Sequence, residues 1–141
     1  MTFAFTKLTK KRKIILLIPL GAIGLIIGTS SVALDSIKFD LRKIGESVYE
    51  AHNRTGKWPT QIEDLDDTEY LRMPYRRDAL QRGLFVVVWQ QDLNAEPRAN
   101  HDRILAYDNG SLFSRLGYVL ACRGDLTIGR IDSKTLKQQA R

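Results

Sequence analysis

The most marked pattern along the chain is an uncharged apolar segment of 21 residues from Ile14 to Leu34. At about 1.5 Å of rise per residue, a helix of this length is about 31 Å long, which matches a bilayer core of about 30 Å. The preceding basic run, Lys10 to Lys13, predicts a cytoplasmic N-terminus by the positive-inside rule. We therefore expect a basic cytoplasmic tail at 1–13, a transmembrane helix at 14–34 in contact with membrane lipid, and an extracytoplasmic or periplasmic remainder.

A cleavable signal peptide is the alternative for the same segment. The start of the chain is basic, and the small residues around Ser31 to Ala33 fit a cleavage site. The length of the apolar run favours an uncleaved anchor in the inner membrane, because a signal-peptide core is usually shorter.

Beyond the apolar segment, hydrophobic residues recur at spacings of four, three, four and three, which is one face of an α-helix. These residues are Ile37, Leu41, Ile44, Val48 and Ala51. No residue between Leu34 and Asp35 interrupts a helix, so one long helix is expected to continue from the membrane segment into an amphipathic half. It should end near Arg54 to Gly56, because Gly56 suits the left-handed position that closes a helix.

The segment from His52 to Leu65 is predicted to form a corner between two helices. Thr60 and Glu63 have capping-box spacing for a short second helix, with Ile62 and Leu65 on its buried side. Trp58 is expected to fill the corner with its ring rather than to stack on a ligand, since aromatic side chains mostly fill cores.

The remaining pattern predicts an irregular connection followed by three or four strands. Pro74 argues against a continuous helix in the connection. Runs rich in β-branched and aromatic residues predict strands at Leu84–Gln90, Arg103–Asp108, Leu116–Gly124 and Asp125–Ile131, with a tight turn at Arg123 to Asp125. An antiparallel sheet needs a covered face. The fold class is therefore α+β, with a small antiparallel sheet packed on the amphipathic helix in a domain at 35–131 and a polar tail at 132–141.

The charge distribution argues against nucleic acid as a partner. The net charge is +6, but five of the 22 basic residues lie in the first thirteen positions and no acidic residue precedes Asp35. Residues 35–141 carry 17 basic and 16 acidic residues. A nucleic-acid-binding domain would be expected to spread its basic residues over a folded face.

No set of residues forms a recognisable catalytic, cofactor-binding or metal-binding motif. Cys122 lies in an apolar run and is predicted to be a buried, inert thiol. His52 is placed at a helix end, where a cation is mildly favoured. His101 and Asp102 are adjacent, and no nucleophile motif accompanies them. We predict that the chain is not an enzyme and binds no cofactor.

The order of elements and the corner resemble type IV pilin-like proteins, above all the major pseudopilin of type II secretion systems. The resemblance rests on Tyr49, Gly56, Trp58, Pro59, Thr60 and Leu65. The segments RILAYD and GYVLACRGDLTIGRI resemble the closing hairpin of pilin-like proteins of planctomycete-type bacteria. The family implies a structural or assembly role in a secretion or pilus-like system, with self-association or binding to other pilin-like subunits.

The N-terminal segment differs from the family. Phe5 to Leu8 lacks the glycine and the glutamate of the family's processing site, so a membrane-anchored binding module outside any filament is the alternative function. A protein secreted after signal-peptide cleavage is a further alternative. Some family members hold calcium near the end of the sheet, where this chain has Asp102, Asp108 and Asn109. We interpret these three as turn residues, because calcium requires six to eight oxygen ligands.

Overall fold

The computed structural model describes the backbone of residues 9–89, 92–110 and 117–139, and the side chains of residues 32–89, 92–110 and 117–136. The chain divides into two compact units, Met1–Ser36 and Ile37–Arg141. Helix α1 runs from Thr9 to Thr55, so the predicted single helix across positions 34 and 35 is confirmed. Within the described residues, no helix is both long and apolar enough for a membrane crossing. The side chains of 14–31, most of the predicted span, lie outside the described residues.

The predicted apolar face of α1 is buried in the second unit. Leu41 and Ile44 have no exposed surface, and Val48 and Ala51 are also buried. Ile37 is half-buried against the same core. The three- and four-residue spacing produces this result because such residues lie on one side of a helix.

The second unit contains a four-stranded antiparallel sheet in the order β1-β2-β3-β4. The strands are β1 Phe85–Val87, β2 Ile104–Asp108, β3 Tyr118–Arg123 and β4 Ile128–Asp132. The α+β class and the four strands are confirmed. The first predicted strand was too long, since only three of its residues pair with β2. Gln90 and Leu116, the predicted ends of two strands, lie outside the described residues.

Apolar side chains lie on both faces of this sheet. Leu105, Ala106 and Cys122 belong to the core cluster that also contains the buried face of α1. The opposite face has a second cluster, which consists of Ile104, Val119, Ala121, Ile131 and Leu136. Leu136 belongs to helix α3, Ser133–Gln139, within the segment predicted as a polar tail. One buried leucine on this short helix thus covers part of the second face.

The prediction of an irregular connection around Pro74 was wrong. Helix α2 runs from Pro74 to Gln81, and proline occupies its first turn. Proline is tolerated there because the first amide groups of a helix have no partner within the helix, so its missing N–H costs nothing. Leu80 is the buried residue of α2. A proline in an otherwise helical pattern can therefore mark a start as well as an end.

Candidate functional site

Three aromatic rings pack together in the corner after α1. Gly56 has a φ of 72° and its N–H donates to the carbonyl of His52 at 2.7 Å, which closes the helix as predicted. The rings of His52 and Trp58 are stacked, with centroids 3.7 Å apart and 5° between their planes. Trp58 also meets Tyr49 edge to face, with centroids 5.5 Å apart. Trp58 therefore packs within the corner, as its position in the sequence predicted.

The predicted capping box at this corner is wrong. The second helix is a 3-10 helix of four residues, Ile62–Leu65, and its N-cap residue Gln61 makes no side-chain cap. Thr60 instead bonds the carboxylate of Asp64, through its amide at 2.8 Å and its hydroxyl at 3.2 Å. These hydrogen bonds hold the pKa of Asp64 below its usual value. The predicted buried side is confirmed for Leu65, and Ile62 is half-buried.

A buried hydrogen-bond network joins α1 to the turn between β3 and β4. We call it the clasp; it consists of Tyr49, Asn100 and the carbonyls of Gly124 and Asn94. The hydroxyl of Tyr49 donates to the carbonyl of Gly124 at 2.7 Å. The side-chain amide of Asn100 donates to the same hydroxyl at 2.8 Å and to the carbonyl of Asn94 at 2.8 Å. Burial raises the pKa of Tyr49. Three segments far apart in the chain are thereby held at one point.

Asn100 was not identified from the sequence. It is buried, and its Oδ1 also accepts the N–H of Asn94 at 2.9 Å. It lies in the polar segment between β1 and β2, and nothing in the composition of that segment shows which polar residue turns inward. The predicted tight turn is confirmed, since the N–H of Leu126 donates to the carbonyl of Arg123 at 2.9 Å around Gly124 and Asp125. Leu126, with a φ of 65°, takes the left-handed position, and Gly124 approaches Asn100 closely.

Replacing Tyr49 by phenylalanine is expected to destabilise the folded chain by about 1–2 kcal/mol, because the buried carbonyl of Gly124 loses its donor. Urea unfolding of the full chain, followed by tryptophan fluorescence, measures the change. Tyr75→Phe is the matched control and should stay within about 0.5 kcal/mol, because the Tyr75 side chain is 63% exposed. Equal effects of the two substitutions would contradict the clasp.

A groove of about 330 Å³ lies between α1 and the segment that leads into α2. We call it the acidic groove; its lining residues include Phe39, Glu46, Glu50, Glu69, Met73 and Arg76. Phe39 and Met73 are 52% and 49% exposed, which is high for large apolar side chains. An exposed apolar surface of this kind, rimmed by polar groups, is typical of an interaction site.

Two cations, Lys43 and Arg76, also line the groove, and each contacts another side chain. Lys43 Nζ lies 2.6 Å from a carboxylate oxygen of Glu46, and this hydrogen bond raises the pKa of Lys43. The guanidinium of Arg76 lies over the ring of Tyr70, 4.3 Å from its centroid. The hydroxyl of Tyr70 donates to a carboxylate oxygen of Asp40 at 2.6 Å. Burial and the Asp40 carboxylate together raise the pKa of Tyr70.

Cys122 is completely buried, as predicted. Burial raises the pKa of its thiol from an ordinary 9.0 to about 12. At pH 8 its thiolate fraction is then about a thousandfold lower than that of an unperturbed thiol, and the thiolate is the nucleophile. The environment of this cysteine opposes a catalytic role.

Alkylation of Cys122 by a maleimide at pH 8 is expected to be at least about a hundredfold slower in the folded chain than in concentrated urea. Mass spectrometry of quenched samples measures the rate. The control is Lys134→Cys, because position 134 is exposed and should react at once. Fast labelling of Cys122 in the folded chain would refute its burial.

The residues considered for calcium take part in local turns. Asp108 is buried, and its Oδ1 accepts the N–H of Gly110 at 3.2 Å. The side-chain amide of Asn109 donates to the carbonyl of Gly83 at 3.2 Å. Asp102 and His101 are exposed, and Asp102 lines a separate cleft with Arg123. In the part of the chain that the structure describes, no cluster of three acidic, histidine or cysteine side chains could hold a metal.

No protein-family model, curated protein or solved structure matches this chain.

Proposed function

We propose that this chain is a non-enzymatic, single-pass membrane protein of the pilin-like class. It serves as a structural or assembly subunit of a type II secretion or type IV pilus-like system in the inner membrane. The observation that carries the proposal is the 47-residue helix Thr9–Thr55, whose last part packs on a four-stranded antiparallel sheet. The apolar sequence of its first part fits a membrane anchor.

The corner gives further support. Tyr49 and Trp58, two of the residues that carry the resemblance, contact each other, and Tyr49 also ties the helix to the sheet. Gly56 closes the helix between them. Such a rigid attachment suits a subunit whose sheet domain must follow its own helix in an assembly.

One observation favours a second candidate, a membrane-anchored binding module that enters no filament. The N-terminal segment lacks the glycine and glutamate that pilin-like proteins carry for processing and alignment. In this candidate the same helix serves as a permanent anchor, and the exposed groove binds a different partner.

The mass of the native protein, combined with membrane fractionation, tests the anchor. The proposal expects an uncleaved chain that resists extraction by high salt and by alkaline carbonate. A soluble chain with a new N-terminus near Leu34 would overturn both membrane candidates and favour a secreted protein. This measurement comes first because every assembly argument depends on the anchor.

Amine-reactive crosslinking in intact cells distinguishes the two membrane candidates. A subunit of an assembly should yield a ladder of self-crosslinked species or crosslinks to other pilin-like proteins. A module outside a filament should yield monomers or crosslinks to an unrelated partner, and that result would reject the assembly role.

A further inference from the structure

The acidic groove has one carboxylate, that of Glu50, for which the described residues provide no ion pair. The backbone N–H of Glu69 donates to both carboxylate oxygens of Glu50, at 3.3 and 3.4 Å, so the two acidic residues are neighbours. Glu69 also interacts electrostatically with Lys43. Beside them lie the exposed side chains of Phe39 and Met73. Three carboxylates and two cations line the groove, so it offers apolar surface together with an excess of one negative charge.

A second surface has the complementary properties. We call it the Tyr118–Arg130 pair, formed by the first residue of β3 and the middle residue of β4. The guanidinium carbon of Arg130 lies 3.4 Å from the centroid of the Tyr118 ring, and Tyr118 is 46% exposed. In the described part of the chain, Arg130 has no ion pair with a carboxylate. Stacked tyrosine and arginine side chains lose little conformational freedom on binding and are enriched at the centres of interfaces.

We propose that the Tyr118–Arg130 pair of one copy docks in the acidic groove of a second copy of this chain. The Arg130 guanidinium would approach Glu50 and Glu69, and the Tyr118 ring would cover Phe39 and Met73. The Arg130 guanidinium would supply the positive charge that the groove lacks, which sets the orientation of the contact. The inference deepens the proposed function, because it names the partner of the groove.

The two surfaces share no residue, so a single contact leaves a free groove on one copy and a free Tyr118–Arg130 pair on the other. The same two copies can join these in a reciprocal two-fold dimer, or each copy can bind a different neighbour. The second arrangement is heterologous and closes into rings or continues as open helical filaments. A filament subunit requires this second arrangement.

Site-directed crosslinking in the full-length membrane protein tests the contact. Arg72→Cys places a thiol beside Met73, and Asp132→Cys places one opposite Tyr118 in the strand register. Both positions are exposed and leave the proposed contact residues intact, while the buried Cys122 contributes no background. Two differently tagged chains, one with each substitution, are co-expressed and treated with a short bismaleimide. The expected product is a mixed dimer.

Each variant alone should give no dimer. Dimers from either variant alone would show that two like surfaces meet and would overturn the inference, as would the absence of the mixed dimer. Arg130→Glu should lower the yield of the mixed dimer at least tenfold, and Lys134→Glu, a nearby exposed cation, should leave it unchanged. Slow maleimide labelling of Cys122 verifies that each variant is folded.

A charge exchange gives the strictest test. Arg130→Glu in one chain combined with Glu50→Lys and Glu69→Lys in the other should restore the mixed dimer. Failure of this rescue would mean that Arg130 acts elsewhere.

Such a failure does not reject the proposed function. If the chain stays in the membrane and forms an amine-crosslinked ladder but no mixed dimer, only this contact is rejected. A soluble, cleaved chain rejects the proposed function itself.

Discussion

Replacing Gly124 by alanine is expected to destabilise the folded chain by about 3 kcal/mol, because a methyl group has no room there. A Cβ at this position would overlap the Cβ and the carbonyl oxygen of Asn100. Neither atom can move freely, since the side chain of Asn100 is held by Tyr49 and Asn94. The clash would also displace the carbonyl that accepts the Tyr49 hydroxyl. One methyl group therefore disturbs the clasp from two sides.

Urea unfolding of the full chain followed by the fluorescence of Trp58 and Trp89 measures this effect. Gly129→Ala is the matched control in the adjacent strand β4, because its added Cβ would come no closer than 3.7 Å, to Nε of Arg123. We expect the control to change stability by less than about 0.5 kcal/mol. If Gly124→Ala were as mild as the control, the close approach of this turn to Asn100 would be wrong.

Replacing Gly45 by leucine is expected to cost about 3 kcal/mol or more, because this glycine lets α1 lie close to the sheet. A Cβ at position 45 would lie 2.7 Å from Sγ of Cys122 and 3.1 Å from a methyl carbon of Leu126. Cys122 is completely buried and its side chain is short, so its sulfur has little freedom to move aside. Leucine has a higher helix propensity than glycine, so any loss of stability comes from packing and not from helix propensity.

The same unfolding measurement tests Gly45→Leu, with Arg42→Leu as the control on the exposed side of α1. The control should change stability by no more than about 0.5 kcal/mol. Combining Gly45→Ala with Cys122→Ala provides a second check, because removal of the sulfur should recover most of the loss caused by Gly45→Ala. An additive result would show that the two residues do not touch.

The helix and the strands were predictable because their signals are local. The spacing of Ile37, Leu41 and Ile44 places them on one side of a helix in any context, and α1 buries that side. The β-branched run before Trp89 and the run that ends at Asp108 likewise produced β1 and β2. The corner followed from Gly56, whose left-handed backbone closes α1.

The errors of the sequence-based predictions arose at residues whose type is compatible with two different structural roles. Pro74 was interpreted as a helix breaker, but it begins α2, because its missing N–H is not needed in the first turn. Thr60 was paired with Glu63, whereas the structure pairs it with Asp64. Gly124 lies in the predicted turn, but the sequence did not show that it also provides space for Asn100. For Thr60 and Pro74 the sequence pattern allows two local arrangements and does not rank them. For Gly124 the deciding neighbour, Asn100, is distant in the chain.

The sequence by itself determined the α+β class, the long helix with its buried face, and the corner at Gly56, since each depends on residues only a few positions apart. The tertiary structure decided which polar groups meet. It brought Tyr49, Asn100 and Gly124 together, and it placed Phe39 and Met73 on one groove beside Glu50 and Glu69. The physical reason is that burial and pairing depend on the packing of distant segments, and only the folded chain brings those segments into contact.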